Sequence, residues 1–194
     1  MARPKEFDRD EAVDCALTAF RKGGFSSTST DDLRLAMGIG RQSLYDTFKG
    51  KKELYLEALR RYLASRVHGH FDLFRKAKSP LQAIEDLLLS IALENPKERR
   101  LACLAVSSIC EFGTADADVA SINREFASTM QAALEKLVTE AKAKHLVRAS
   151  LNAEDTARYL VSTLAGMRVI AITGASPEAL RSIAAIAILG LQPH

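Results

Sequence analysis

The chain has 194 residues, enough for one or two domains with real cores, and a composition 47% apolar and 26% charged excludes a disordered chain. Ten Gly and five Pro are too few for a many-turned β-sandwich, and three cysteines (Cys15, Cys103, Cys110) are too few and too irregular for a disulfide framework or a zinc site. The net charge of +3 is modest but unevenly placed, since residues 1–66 carry 13 basic against 10 acidic side chains and the remainder carries 14 of each.

In chain order the apolar spacing predicts helix after helix and no strand of useful length. A first helix is expected from about Asp8 to Lys22, stopped by Gly23-Gly24, and a second from Ser29 to Gly38, with Asp32 three residues after a capping hydroxyl. Ile39-Gly40 reads as a short turn before a third helix over Arg41–Phe48. A long fourth helix is expected from Lys51 toward Ala77, and Ser79-Pro80 opens a fifth that ends near Asn95-Pro96. Further helices are expected over about Arg99–Phe112, Asp116–Lys144, Asn152–Thr173 and Ser176–Leu189. The fold class is therefore all-α with about nine helices, and a domain boundary is placed in the fourth, giving residues 1–50 and 51–194. The N-terminal segment lacks the apolar core of a secretory signal, and the longest apolar run, Ile183–Leu189, is far short of the roughly 20 residues of a membrane span. A cytoplasmic protein that contacts no membrane is expected.

Three short helices with a tight turn between the second and third have the layout of a helix-turn-helix, whose last helix must project far enough to enter a DNA major groove. Leu44 and Phe48 are four apart and anchor one face of that helix. Arg41, Gln42, Ser43, Tyr45 and Thr47 supply donors for bases and phosphates, Arg being suited to guanine and Gln to adenine. Lys49, Lys51 and Lys52 follow at the next helix N-terminus, itself suited to phosphate. With Arg41, they make four basic residues against one acid, Asp46, in Ile39–Lys52, a patch suited to a polyanion, although a solvated lysine-rich turn has the same charge count.

The run Ser29-Thr30-Asp31-Asp32-Leu33, then Gly38-Ile39-Gly40-Arg41-Gln42-Ser43-Leu44-Tyr45-Asp46-Thr47-Phe48-Lys49-Gly50-Lys51-Lys52-Glu53-Leu54, resembles the TetR/AcrR family of bacterial regulators. The resemblance spans Phe7–Tyr62; beyond it, only the helical layout and Ala102-Cys103-Leu104 are similar. It implies that Ser43, Tyr45 and Lys51 contact phosphates, that Thr30 helps seat the second helix on the backbone, and that Arg41 and Gln42 read bases. Gly40 departs from the Ser or Thr common at that cap, which glycine also serves, and Arg34 departs from a small or apolar residue, reading either as a phosphate contact or as a snorkelling surface side chain.

The resemblance also implies that the C-terminal helices form a homodimer and enclose an effector. The stretch Leu160–Ala171 is rich in small and apolar residues, and the last helix is apolar all round, so a partner subunit is expected over Leu160, Leu164, Met167, Ala171, Ile183, Ile186 and Ala187; a wholly internal helix is the alternative. Phe112, Phe126 and Met130 are suited to an effector pocket and equally to ordinary core. Cys103 and Cys110, seven apart with Ser107 between them, suggest a thiol sensor assisted by Arg99 or Arg100, or else inert buried thiols. His68 and His70 lie on different helix faces, so no metal site is expected; no catalytic set or cofactor motif stands out, and the chain reads as a non-enzyme. The function expected is a transcriptional regulator, most often a repressor, released from a palindromic double-stranded DNA operator by a small-molecule or thiol-reactive effector. A helical protein-interaction module without specific DNA binding is the alternative.

Overall fold

The structure, a computed structural model, describes residues 7–193; residues 1–6, on which part of the reading about a leader falls, lie outside the described residues. Among the described residues there are ten helices and no strands: α1 (Arg9–Ser27), α2 (Thr30–Met37), α3 (Arg41–Phe48), α4 (Lys51–Lys76), α5 (Pro80–Leu93), α6 (Pro96–Arg100), α7 (Leu104–Phe112), α8 (Ala117–Ala143), α9 (Ala153–Ile172) and α10 (Pro177–Leu189). They fall into two compact units. The first comprises the described residues through Ala64 with Ala102–Ile122, and the second comprises Ser65–Leu101 with the chain from Asn123 onward. The first unit thus extends beyond residue 50, because the opening of α4 buries Leu54, Tyr55 and Leu59 within it and the α7 region returns to it from far along the chain.

Several ends follow from local chemistry. Asp8 caps α1 by accepting the N–H groups of Asp10 and Glu11 at 2.8 and 3.0 Å. The expected stop at Gly23-Gly24 is instead a kink: Gly24 has φ 73° and ψ −176°, a region essentially confined to glycine, and one further turn follows. Ser79, Asn95, Asn152 and Ser176 each cap the next helix through a side-chain oxygen. The helix expected over Arg99–Phe112 is broken, since Leu101 and Cys103 are extended and α7 starts only at Leu104. Ala102 there exchanges hydrogen bonds with Arg21, its N–H donating to the Arg21 carbonyl and its own carbonyl accepting from the Arg21 guanidinium.

The second unit packs Ile84, Leu87, Leu88 and Ile91 of α5 with Met130, Leu134 and Val138 of α8, Leu160 and Met167 of α9, and Leu180, Ala184 and Ile188 of α10. Beside this core lies a charged group that the apolar spacing does not announce. The Glu94 carboxylate accepts from both arms of the buried Arg168 guanidinium and from Arg66 at 3.2 Å. Burial opposes ionisation of Glu94, but Arg168 and then Arg66 more than offset it and hold its carboxyl below the usual range.

Arg66 also donates toward Nε2 of the buried His70, 3.4 Å away, and His70 Nδ1 lies 3.4 Å from the Met130 sulfur. An arginine can only donate, so Nε2 accepts and the ring is neutral. Burial first, then the charges of Arg66 and Arg168, push the imidazole down to about 3 from an ordinary 6.5. Between these values the unfolded chain binds the extra proton, so the stability His70 contributes is complete above pH 6.5 and is lost as pH falls toward 3. The slope should approach about 1.4 kcal/mol per pH unit. Chemical denaturation at pH 7, 6 and 5 should show this decline in the parent and a markedly flatter profile in His70→Leu.

Candidate nucleic-acid interface

The turn that presents α3 is built from both ends. Ser29 and Asp32 form a complete capping box: the Asp32 N–H donates to the Ser29 hydroxyl oxygen at 3.1 Å, and the Ser29 N–H donates to the Asp32 carboxylate at 2.8 Å. The Ser29 hydroxyl also donates to that carboxylate, and these bonds, the hydroxyl's first, hold the Asp32 carboxyl below its ordinary value. Thr30 is thereby fixed as the first residue of α2. Gly38 closes α2 at φ 65° with nothing near its absent Cβ, so backbone conformation rather than space calls for glycine. Buried Ile39 anchors the turn. Gly40 then caps α3 at φ −72°, ψ 159°, with no side-chain bond and room for a Cβ, so neither conformation nor space demands glycine there.

Leu44 and Phe48 are buried and hold α3 by one face. Arg41, Gln42 and Tyr45 are exposed, Ser43 and Thr47 half-buried. The Gln42 amide donates one N–H to Asp46 at 2.8 Å. Its carbonyl and second N–H stay available, which is the pair that bidentate reading of adenine requires. Exposed Lys49 closes α3 in the left-handed conformation (φ 60°), and Gly50 follows at φ 125°, turning the chain sharply into α4.

The two lysines that open α4 have different surroundings. The Lys51 ammonium lies 4.2 Å from the centre of the Phe25 ring. Lys52 forms an ion pair with Asp116 and lies over the Phe112 ring, so it is bound rather than solvated. Asp116 is held below its ordinary value by Lys52 first and then by the Val119 N–H. Arg34 is half-buried and pairs with Asp31 at 3.3 Å. Behind the lysines, Phe20, Phe25, Tyr55 and Phe112 form an aromatic cluster with centroid separations of 4.9–6.4 Å. Sequence reasoning did not place Phe25, Tyr55, Glu111 or Asp116 at this site, since their partners here lie up to 86 residues away.

The match to known proteins follows this geometry. Residues 12–58 match the model of bacterial regulatory proteins of the tetR family. The chain is 31% identical over 188 residues to an uncharacterized HTH-type transcriptional regulator, YezE, of Bacillus subtilis, covering 93% of this chain and 94% of that one. The chain belongs to the TetR family. It is also 29% identical to the HTH-type transcriptional repressor ComR of Escherichia coli, over 94% of this chain and 88% of the relative. The fold matches that of a cysteine-substituted form of the TetR family regulator CifR, solved with a 26-base-pair operator duplex (TM-score 0.84, 24% identity, 98% and 100% of the two chains). It also matches reduced NemR of E. coli (TM-score 0.81, 17% identity, 94% and 96%).

The remaining residues singled out in this TetR-family chain are less united. Cys103, Ser107, Cys110 and Phe112 belong to the first unit, Phe126 and Met130 to the second. Cys103 is the buried residue before α7 while Cys110 is exposed on it, so the two thiols do not share a helix face as their spacing suggested. The Ser107 hydroxyl donates to the Leu104 carbonyl at 3.4 Å, and Arg99 is committed to the Ala92 and Glu94 carbonyls rather than to a thiol. Phe126 packs partly buried against the second core, and Met130 is within it.

Of the expected dimer residues, Leu160, Met167, Ala171 and Ala187 lie in the protomer's own core, 1% exposed each, and present nothing to a partner. Helical spacing alone could not tell the inward stripe from the outward one. Leu164 and Ile183 are half-buried, and Ile186 is 66% exposed alongside Tyr159, Val169, Ile172 and Leu189 of the same two helices. No helix among the described residues is long and apolar enough to cross a membrane, and no group of three His, Cys, Asp or Glu side chains among them could hold a metal. Under native conditions a thiol reagent should label Cys110 well before Cys103, and mass spectrometry of partially labelled protein checks the order; equal rates would show that the α7 N-terminus opens.

Proposed function

We propose that the protein is a homodimeric repressor that binds a palindromic double-stranded DNA operator through α3 and is released by an effector acting on its C-terminal helices. The observation that carries this reading is the division of α3, with Leu44 and Phe48 buried while Arg41, Gln42 and Tyr45 face outward. Arg41 and Gln42 read base edges, Ser43, Thr47 and Tyr45 supply hydroxyl donors, and Thr30, Lys49 and Lys51 hold backbone phosphates. Relatives named as a repressor and as operator-bound regulators support this assignment. The protein acts by binding rather than turnover, in the cytoplasm, where the chromosome is accessible.

Residues 1–50 carry DNA recognition and the remainder carries dimerisation and effector sensing, with residues 51–64 and 102–122 packed in the same compact unit as the recognition helices. The exposed apolar residues of α9 and α10 form the subunit interface, two helices from each protomer. Two-fold symmetry then sets the paired α3 helices about 34–36 Å apart, the spacing of successive major grooves. An effector that prefers another spacing by about 1–3 kcal/mol lowers operator affinity 5- to 150-fold. That effector is a small molecule or a thiol-reactive compound, Cys110 being the thiol open to the second kind.

Capture of sheared genomic DNA by the purified protein, read by sequencing, should return one or a few palindromic sites. Recovery of none by a folded dimer would favour a protein-contact role. Tyr45→Phe removes one hydroxyl bond to a phosphate from each subunit and should cost about 3–6 kcal/mol in all, about a hundredfold or more in affinity, irrespective of sequence. Ile186→Asp with Leu189→Asp should give a folded monomer by sedimentation that has lost operator binding; an intact dimer would move the interface elsewhere.

A further inference from the structure

The carboxylate of Glu111, in α7, occupies a cradle of backbone amides at the end of α1. It accepts the N–H groups of Phe25 at 2.8 Å and Ser26 at 3.1 Å. The kink at Gly24 restarts the helix, so the amides of Phe25 and Ser26 are first-turn donors without an intrahelical acceptor. Gly24 is doubly constrained. Its backbone lies in a region essentially confined to glycine, and a Cβ would sit 2.8 Å from the Glu111 Oε1. The neighbouring Phe112 ring packs 5.1 Å from the Phe25 ring, so Glu111 and Phe112 fix the backbone and the side chain of the same residue. Tyr55 supports the Phe25 ring from a third direction, 5.0 Å away.

Phe25 in turn is the platform for Lys51, whose ammonium lies 4.2 Å from its ring centre at the N-terminus of α4. The ring face meets one side of the ammonium, which retains donors for a phosphate. Without the carboxylate, two amides lose their acceptor and the Phe25 turn loses the bond that sets the platform. We infer that Glu111 is a positioning residue for DNA binding, holding Lys51 in place for a backbone phosphate through Phe25 although it lies outside the helix-turn-helix. This rests on the DNA-binding reading above.

The test is the salt dependence of binding to a mixed-sequence DNA duplex by the full-length protein, for the parent, Lys51→Ala, Glu111→Ala and the double variant. Each phosphate contact contributes about 0.9 to the slope of log affinity against log salt. In the homodimer each substitution removes two such contacts, so Lys51→Ala and Glu111→Ala should each lower the slope by about 1.8, about 12-fold over a fourfold rise in salt, and the double variant no further. A purely structural role for Glu111 would shift the thermal midpoint and leave the slope alone. If Glu111→Ala does not fold at the assay temperature, Glu111→Gln, which keeps the side-chain length and one acceptor oxygen, should show a partial loss of slope. A drop for Lys51→Ala alone, with either Glu111 variant at the parental slope, overturns the positioning role. An unchanged slope for Lys51→Ala overturns the phosphate role of Lys51, and no salt-dependent binding by the parent overturns the DNA-binding reading itself.

Discussion

An eight-residue helix does not persist in water, because the nucleation cost exceeds what two turns of hydrogen bonds return. Recognition helix α3 is that short and has no side-chain cap at its N-terminus, so its existence depends on tertiary anchoring. Leu44 and Phe48 provide the anchor, and every other feature of the interface follows from their burial. With one face committed to the core, Arg41, Gln42 and Tyr45 are left outside, and the turns at Gly38 and Lys49-Gly50 have only to bring the chain in and out. The capping box of Ser29 and Asp32 extends this anchoring to α2, which is equally short.

The charges of this unit are sorted rather than merely accumulated. Four basic residues in Ile39–Lys52 suggest a uniform patch, yet Lys52 is bound by Asp116 while Lys51 rests on an aromatic face. A carboxylate partner occupies the electrostatic role that a phosphate would take, whereas a ring face leaves the ammonium's full charge in place. Adjacent lysines of identical chemistry therefore have different surroundings, and the difference is set by Phe112, Asp116 and Phe25 rather than by the lysines themselves. The exposed ion pairs between α1 and α4, Arg9 with Glu57 and Arg61 with Asp10, add little stability of their own and leave orientation to the buried contacts.

Local rules made most of the helices legible. Ser29, Asn152, Ser176-Pro177 and Gly38 each mark an end through a hydrogen bond or backbone conformation spanning a few residues, and the structure starts or stops a helix at each. The failures are non-local. The helix expected from Arg99 breaks because Ala102 pairs with Arg21, 81 positions earlier. Gly24, read as a stop, is a kink whose partner is Glu111. On α9 and α10 small and apolar residues occupy both faces, so periodicity gave no means of telling Leu160 and Met167, inside the protomer, from Ile186 and Leu189, outside it. The buried and exposed faces of α3 were legible because their pattern of anchors and donors lies within eight consecutive positions.

Arg168 illustrates what a composition cannot convey. A buried guanidinium requires a paired carboxylate, because an uncompensated charge in the core costs more than the packing around it returns. Glu94 satisfies it by standing at the end of α5, where the helix has finished and its side chain can turn to meet both Arg168 and Arg66. His70, next to Arg66, is consequently kept neutral and must accept rather than donate. Protonating the imidazole would place a further positive charge beside Arg66 and Arg168, both of which disfavour it. The same electrostatics that keep His70 neutral therefore make this unit sensitive to acid.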